Sequence, residues 1–365
     1  MQPRDLSAHE AYVPGRGAEE VARDLGVDPE DLIKLSSNEN PHGPSPAAVD
    51  AIEATAPTVN VYPKASHTDL TARIADKWGL ESEQVWVSAG ADGAIDYLSR
   101  AFLAPGDAAL LPDPGFAYYP MSTRYHHGEV TTYPVRKADD FRQTAADVLD
   151  AYDGERIVHV TTPHNPTGST FAPDELRTLA ESVDDHTLVA VDEAYGEYAA
   201  DPSAIELLDD YDNIAVLRTF SKSYGLAGLR VGYAAVPSAW ADAYAKVNTP
   251  FAANEVACRA ALAALDDDDH LELSIDTARW ARKYYREELD APTWPSGGNF
   301  VLCDVGDGAA VAAACQRQGV IVRDTASFGL PECVRVSCGT REETKAAVET
   351  LNTVLAEVSP EASGL

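Results

Sequence analysis

Short apolar runs recur along the chain, and each ends in polar residues. The runs lie at Gln84–Ser88, Ala108–Leu111, Arg156–Val160, Leu188–Val191, Ile214–Leu217 and Arg230–Val236. Brief runs of this kind, apolar at consecutive positions, read as strands covered on both faces. Between and after them the pattern changes to helical spacing, at Ala18–Leu25, Ala94–Leu103, Pro173–Ser182, Ser238–Val247, Asn254–Leu265 and Leu271–Leu289. Strands alternating with helices predict an α/β fold: a mainly parallel, doubly covered sheet whose ligand site lies along the carboxyl ends of its strands. After Trp294-Pro-Ser-Gly-Gly298 the strands change type, with Asn299–Val305, Val320–Arg323 and Val334–Ser337 set among helices Ala309–Gln318 and Arg341–Val358. This predicts a smaller α+β domain. The expected division is a large domain over residues 36–245, and a small one made of 1–35, an arm, and 246–365. In the arm Ser7-Ala-His-Glu10 has the spacing of a capping box. Asp266–Asp269 reads as a solvated loop, and the tail 356–365 carries no candidate site.

Composition narrows the class. With 365 residues and 45% hydrophobic content the chain can bury a sizeable core. No apolar run approaches the roughly 20 residues that span a bilayer, and Met1-Gln-Pro-Arg-Asp-Leu6 lacks the apolar core of a signal peptide. The five cysteines fit reduced thiols in a cytoplasm, and Cys333 and Cys338 lack the partners of a metal site. Acids outnumber bases 59 to 28, a net charge of −31. That field repels nucleic acid and anionic membranes. Only 8 of the bases are lysine and 34 of the acids are aspartate, a composition resembling that of proteins from salt-loving organisms. An anionic substrate then needs local arginines, or salt to screen the long-range field.

The candidate chemistry begins at Thr219-Phe-Ser-Lys-Ser-Tyr-Gly-Leu-Ala-Gly-Leu-Arg230, just past a strand. Ser221 and Arg230 suit a phosphate, and a lysine amine beside them suggests a Schiff base with pyridoxal phosphate. Such a cofactor needs a carboxylate against its pyridine nitrogen, and Asp192 stands at a strand end. Its ring oxygen needs donors, for which Asn165 and Tyr195 are placed. Its phosphate can use the free N–H groups at a helix start, here Ala91 and Asp92, although an ordinary strand-to-helix turn with Asp92 as N-cap has the same sequence. Phe116 either lies flat on the ring or packs in the core. Lys222 would then serve as imine and as the base moving a proton between substrate and cofactor.

Asn165-Pro-Thr-Gly168, Asp192-Glu-Ala-Tyr195 and Ser221–Arg230 resemble the motifs of the fold-type I aminotransferases. Within that family, Leu35-Ser-Ser-Asn-Glu-Asn-Pro41, Val61-Tyr-Pro63, Gly90-Ala-Asp92, Thr249-Pro-Phe251, Asn299-Phe300, Val322-Arg-Asp324 and Cys333–Glu343 are similar to stretches of the histidinol-phosphate aminotransferases. The resemblance spans about residues 12–355. It implies a homodimer with shared active sites, in which Tyr62 reaches the partner's cofactor phosphate and Phe116 stacks on the ring. It also implies that Arg335 holds the carboxylate of glutamate and Arg323 helps bind the phosphate of histidinol phosphate. Tyr12 and Asn38 or Glu39 would lie near the imidazole end. The implied reaction is reversible transamination between L-histidinol phosphate and 2-oxoglutarate. An aromatic aminotransferase or a threonine-phosphate decarboxylase of the same fold remains the alternative.

Overall fold

The computed structural model describes residues 1, 6–9, 11, 12, 15, 17–64 and 67–358. Glu10 of the expected capping box and residues 359–365 of the tail lie outside the described residues. The strands in chain order are β1 (Ile33–Lys34), β2 (Val85–Ser88), β3 (Ala108–Asp113), β4 (Glu129–Pro134), β5 (Ile157–Thr161), β6 (Leu188–Asp192), β7 (Ile214–Thr219), β8 (Gly232–Ala235), β9 (Phe300–Asp304), β10 (Val320–Ile321), β11 (Arg323–Asp324) and β12 (Cys333–Ser337).

A seven-stranded sheet has the order β2-β8-β7-β6-β5-β3-β4. The pairs from β7 through β4 are parallel, and β8 runs antiparallel to both of its neighbours. The consecutive apolar residues of these strands are explained by burial on both faces. In β6, Leu188 and Ala190 join one core with Ile95 and Leu98 of helix Gly90–Phe102, while Val189 and Val191 join the opposite core with Leu176 and Leu179 of helix Pro173–Ser182. Each fully buried Leu or Val contributes roughly 1.5–3 kcal/mol relative to exposure.

A third core gathers around the antiparallel sheet β11-β12-β9, with helices Asp268–Glu288, Gly308–Arg317 and Arg341–Val358. β1 pairs in parallel with β10, which ties the N-terminal segment to this part. Helix Glu255–Ala264, by contrast, buries Ala257, Ala260, Ala261 and Ala264 in the core of the large sheet.

Four local expectations change. The strand expected over Val320–Arg323 is two strands, because Val320–Ile321 pairs with β1 while Arg323–Asp324 pairs with β12. The acidic run is not simply a loop: Asp267 caps helix Asp268–Glu288, accepting from the His270 amide, and Asp268 and Asp269 occupy its first turn, where the helix dipole favours negative charge. The helix expected from Ala94 begins at Gly90, four residues earlier in the sequence numbering. Edge strand β4 was not expected, since Glu-Val-Thr-Thr-Tyr-Pro offers neither a continuous run nor clean alternation.

Candidate active site

β5, β6 and β7 end side by side. Thr161 is in register with Asp192, and Asp192 with Leu217. Their carboxyl ends open into a cavity of about 580 Å³. Its walls bring together Tyr12, Asn38, Ala91, Asp92, Phe116, Asn165, Asp192, Tyr195, Ser221, Lys222, Arg230, Arg323 and Arg335. These residues come from widely separated parts of the chain.

At the cavity floor Asp192 is 4% exposed. One carboxylate oxygen accepts from the Ala194 amide at 2.9 Å and the other from the Tyr119 hydroxyl at 2.7 Å. Burial, the largest influence, pushes its pKa up to about 6 against these donors. The carboxylate is thus short of positive charge, which a protonated ring nitrogen would supply.

The end of the cavity where the sequence places a phosphate is built from glycine spacing and left-handed backbone. Helix Gly90–Phe102 starts after Ala89, which offers no side-chain cap, so its first N–H groups face the cavity without one. Asp92 is therefore inside the helix and not its N-cap. Its carboxylate pairs with Arg230 Nη2 at 2.8 Å. Burial raises the Asp92 pKa and Arg230 opposes that rise. Arg230 has φ 55°, and Gly90 has φ 76°, the left-handed region that favours glycine; a Cβ there would lie 2.6 Å from Arg230 Nη2 and push the guanidinium aside. Ser221 Oγ stands 3.4 Å from Arg230 Nη1.

Lys222 Nζ lies 3.4 Å from the Ser37 carbonyl and 5.5 Å from the Tyr195 ring centroid. Tyr195 accepts from the Asn38 amide at 3.1 Å, leaving its own proton to donate. Asn165 accepts from Arg335 Nη1 through Oδ1, leaving its NH₂ to donate. The turn after Lys222 is pressed onto the Asn38 loop: a Cβ at Gly225 (φ 69°) would meet the Gly43 carbonyl at 2.1 Å.

The opposite wall comes from the small sheet. Arg323 and Arg335 are register partners on β11 and β12. Arg335 is 6% exposed, bonds only the neutral acceptors Asn165 Oδ1 and Ser36 O, and leaves Nε without a partner among the described residues. Burial lowers its pKa to about 10. Arg323 lies nearer the rim, with Nη2 3.1 Å from Ser327 Oγ.

Three positions stand differently. Tyr62 does not line this cavity; it is 80% exposed and packs on Phe251 at a centroid distance of 5.0 Å. Glu39 turns away to Lys34, 2.8 Å distant. Phe116 packs edge-on to Tyr119 with centroids 5.5 Å apart, while also facing the cavity. Sequence reasoning missed Tyr119, Thr161 and Phe328, which carry no motif of their own, and Ser36, which lies inside the Leu35–Pro41 stretch but was given no role. It also missed His164, whose buried ring joins Thr167 (2.8 Å) to the Pro114 carbonyl (2.9 Å) and so ties the Asn165 loop to the Phe116 loop.

The family model "Aminotransferase class I and II" matches residues 30–351. The chain belongs to the class I and II aminotransferases. It has the fold-type I architecture of pyridoxal-phosphate enzymes. Among its relatives is the histidinol-phosphate aminotransferase of Haloquadratum walsbyi, 72% identical over 98% of this chain and 95% of that one. The protein of the same name from Haloferax volcanii is also 72% identical, over 98% and 99%. Among solved structures, histidinol-phosphate aminotransferase from Sinorhizobium meliloti, in complex with pyridoxal-5′-phosphate, superposes with TM-score 0.84 at 26% identity, covering 95% of this chain and 96% of that one. A single mutant of Thermus thermophilus aspartate aminotransferase shares the fold, with TM-score 0.82, 23% identity and coverage of 97% and 99%.

Proposed function

We propose that this aminotransferase exchanges the amino group of L-histidinol phosphate with 2-oxoglutarate, giving imidazole-acetol phosphate and L-glutamate, as a step of histidine biosynthesis. The observation that carries the reading is a single cavity holding an amine, a buried carboxylate and a buried arginine with no acid partner among the described residues: Lys222, Asp192 and Arg335. The 72% identity to two proteins named for this reaction supports the choice of substrate.

The residues fit pyridoxal phosphate. Asp192 would hold the ring nitrogen, Asn165 and Tyr195 the ring oxygen, and Ser221, Arg230 and the N–H groups at Ala91 and Asp92 the phosphate, with Phe116 against the ring. When bound, the cofactor supplies the electron sink and the carrier for the amino group. The chain supplies the rest. Lys222 Nζ moves the proton at the substrate carbon. Arg335 pairs its planar fork with the carboxylate of glutamate, and Arg323, nearer the rim, adds the charge that a phosphate ester needs. Both substrates use one pocket in turn, and ping-pong kinetics follow. Tyr12, 6.4 Å centroid to centroid from Phe116, and Asn38 would flank the imidazole end.

The smaller unit would comprise the N-terminal segment and residues from about 266 onward, since helix Glu255–Ala264 shares the large-sheet core. Exposed Val59, Val61, Tyr62 and Phe251 would form part of a homodimer contact that brings Tyr62 to the partner's phosphate site. Among the described residues no helix is long and apolar enough to cross a membrane.

Mixing the purified holoenzyme with L-histidinol phosphate should change the cofactor's visible band. A change with tyrosine and none with histidinol phosphate would overturn the substrate. Lys222→Ala should still bind the cofactor while turnover falls at least about 10²-fold, measured as kcat; retained turnover would move the chemistry to another amine.

A further inference from the structure

Tyr119 was absent from every motif, yet it is the side chain that contacts the buried carboxylate. It is 1% exposed, at the start of helix Tyr118–Tyr125. Its hydroxyl is 2.7 Å from Asp192 Oδ2 and 2.8 Å from Thr161 Oγ1. Counting protons sets the direction. An ionised carboxylate only accepts, so the tyrosine proton goes to Asp192 and Thr161 donates to the tyrosine oxygen. Thr161 and Asp192 are register partners on adjacent strands, which fixes the spacing of this relay. The ring cannot swing away: His159 stacks on it, centroids 4.6 Å apart and planes 21° apart, and Phe116 meets it edge-on. His159 is fully buried with both ring nitrogens unpartnered among the described residues, and burial pushes its pKa down to about 3, so it packs there as a neutral plane.

We propose that Tyr119 is a positioning residue for the transamination, its Thr161-oriented hydroxyl keeping Asp192 ionised and aimed for the cofactor's ring nitrogen. The inference rests on the reading of Asp192 given above. Other charges near Asp192 do not substitute for the hydroxyl: Asp92 and Glu193 both favour its protonated form. Lys222, in the same cavity, has its closest polar contact at Ser37 O. Removing the tyrosine proton therefore leaves the Ala194 amide as the remaining donor to the carboxylate among the described residues.

The test compares Tyr119→Phe, Thr161→Val and Asp192→Ala with the parent protein. Apoprotein is titrated with pyridoxal phosphate, and apoprotein thermal midpoints are measured from about pH 5 to pH 8. Tyr119→Phe should weaken cofactor binding about tenfold and lower kcat more than it alters KM. Its deficit in thermal midpoint should widen as pH rises, because an undonated Asp192 ionises at greater cost. Thr161→Val should move each quantity the same way by less, and it decides the matter if Tyr119→Phe does not fold. Parent-like affinity and a pH-independent midpoint deficit would overturn the proposal and leave Tyr119 as packing. If Asp192→Ala also keeps parent affinity, the reading of Asp192 itself falls; if it loses affinity while Tyr119→Phe does not, only the role of Tyr119 falls.

Discussion

Two arginines lie at nearly the same depth and are treated in opposite ways. Arg218 on β7 is 3% exposed, and Arg335 on β12 is 6% exposed. Arg218 is bound by Glu193 through one Nη and by Glu197 through the other at 2.7 Å, and its guanidinium lies 5.0 Å from the Trp78 ring centroid. Burial works against its charge, but Glu197 and Glu193 outweigh burial and raise its pKa. Around Arg335 nothing outweighs burial, and its pKa falls. Taking a cation out of water without a counter-charge costs several kcal/mol. In a chain with 59 acids, Arg335 has no carboxylate partner among the described residues. Paired and buried, an arginine holds elements together. Buried, unpaired and facing a cavity, it leaves a place for an anion to be bound.

The largest effect should come from breaking the paired side. Arg218→Met strips the cation from buried Glu193 and from Glu197, whose side chain is 9% exposed, and should lower unfolding free energy by about 3–5 kcal/mol, read by chemical denaturation at fixed salt. An unchanged stability would erase the distinction between the two arginines. Arg335→Met should do the reverse. Stability should hold or rise, while KM for 2-oxoglutarate and for histidinol phosphate should rise by about 10- to 100-fold, measured by steady-state kinetics alongside the thermal midpoint. If its loss destabilised the fold as Arg218→Met does, Arg335 would be structural too.

Asp192 sharpens the comparison from the anionic side, being a buried acid with donors but no paired cation among the described residues. Its pKa in the folded protein is about 6, against 3.8 ordinarily. A raised acid pKa means that the folded state holds the proton more tightly than the unfolded one. The penalty is therefore absent at low pH, grows as pH rises from the ordinary value through about 6, and is complete above it. A shift of this size corresponds to roughly 3 kcal/mol. Apoprotein carrying Asp192→Asn should consequently gain on the parent as pH rises from about 4 to 7, and saturating pyridoxal phosphate should shrink that gain. Parallel stability profiles for the two proteins would show that the carboxylate carries no such penalty.

Most of the sheet was legible along the chain. β5, β6 and β7 announced themselves because strands buried on both faces must be apolar at consecutive positions, and their polar ends stood out against those runs. Asp192, Asn165, Lys222 and Arg230 were legible for the same reason. β4 was not, because an edge strand with one poor face lacks that signature. Nor was the division of Val320–Arg323, since a change of pairing partner leaves no mark in local pattern. Tyr119 was hidden because a tyrosine at the start of a short helix looks like any core aromatic until Asp192 is placed beside it.

Local rules thus determined what each segment would become, and they marked the chemically able residues at strand ends, because hydrophobic period and turn chemistry act over a few positions. Charge neutralisation is decided between segments far apart. Whether an arginine meets a glutamate, as Arg218 does, or only carbonyl and amide oxygens, as Arg335 does, depended on how β12 was laid against the Ser36 and Asn165 loops. Only the packed molecule brought those groups within hydrogen-bond reach, where electrostatic energy in a low-dielectric interior is settled.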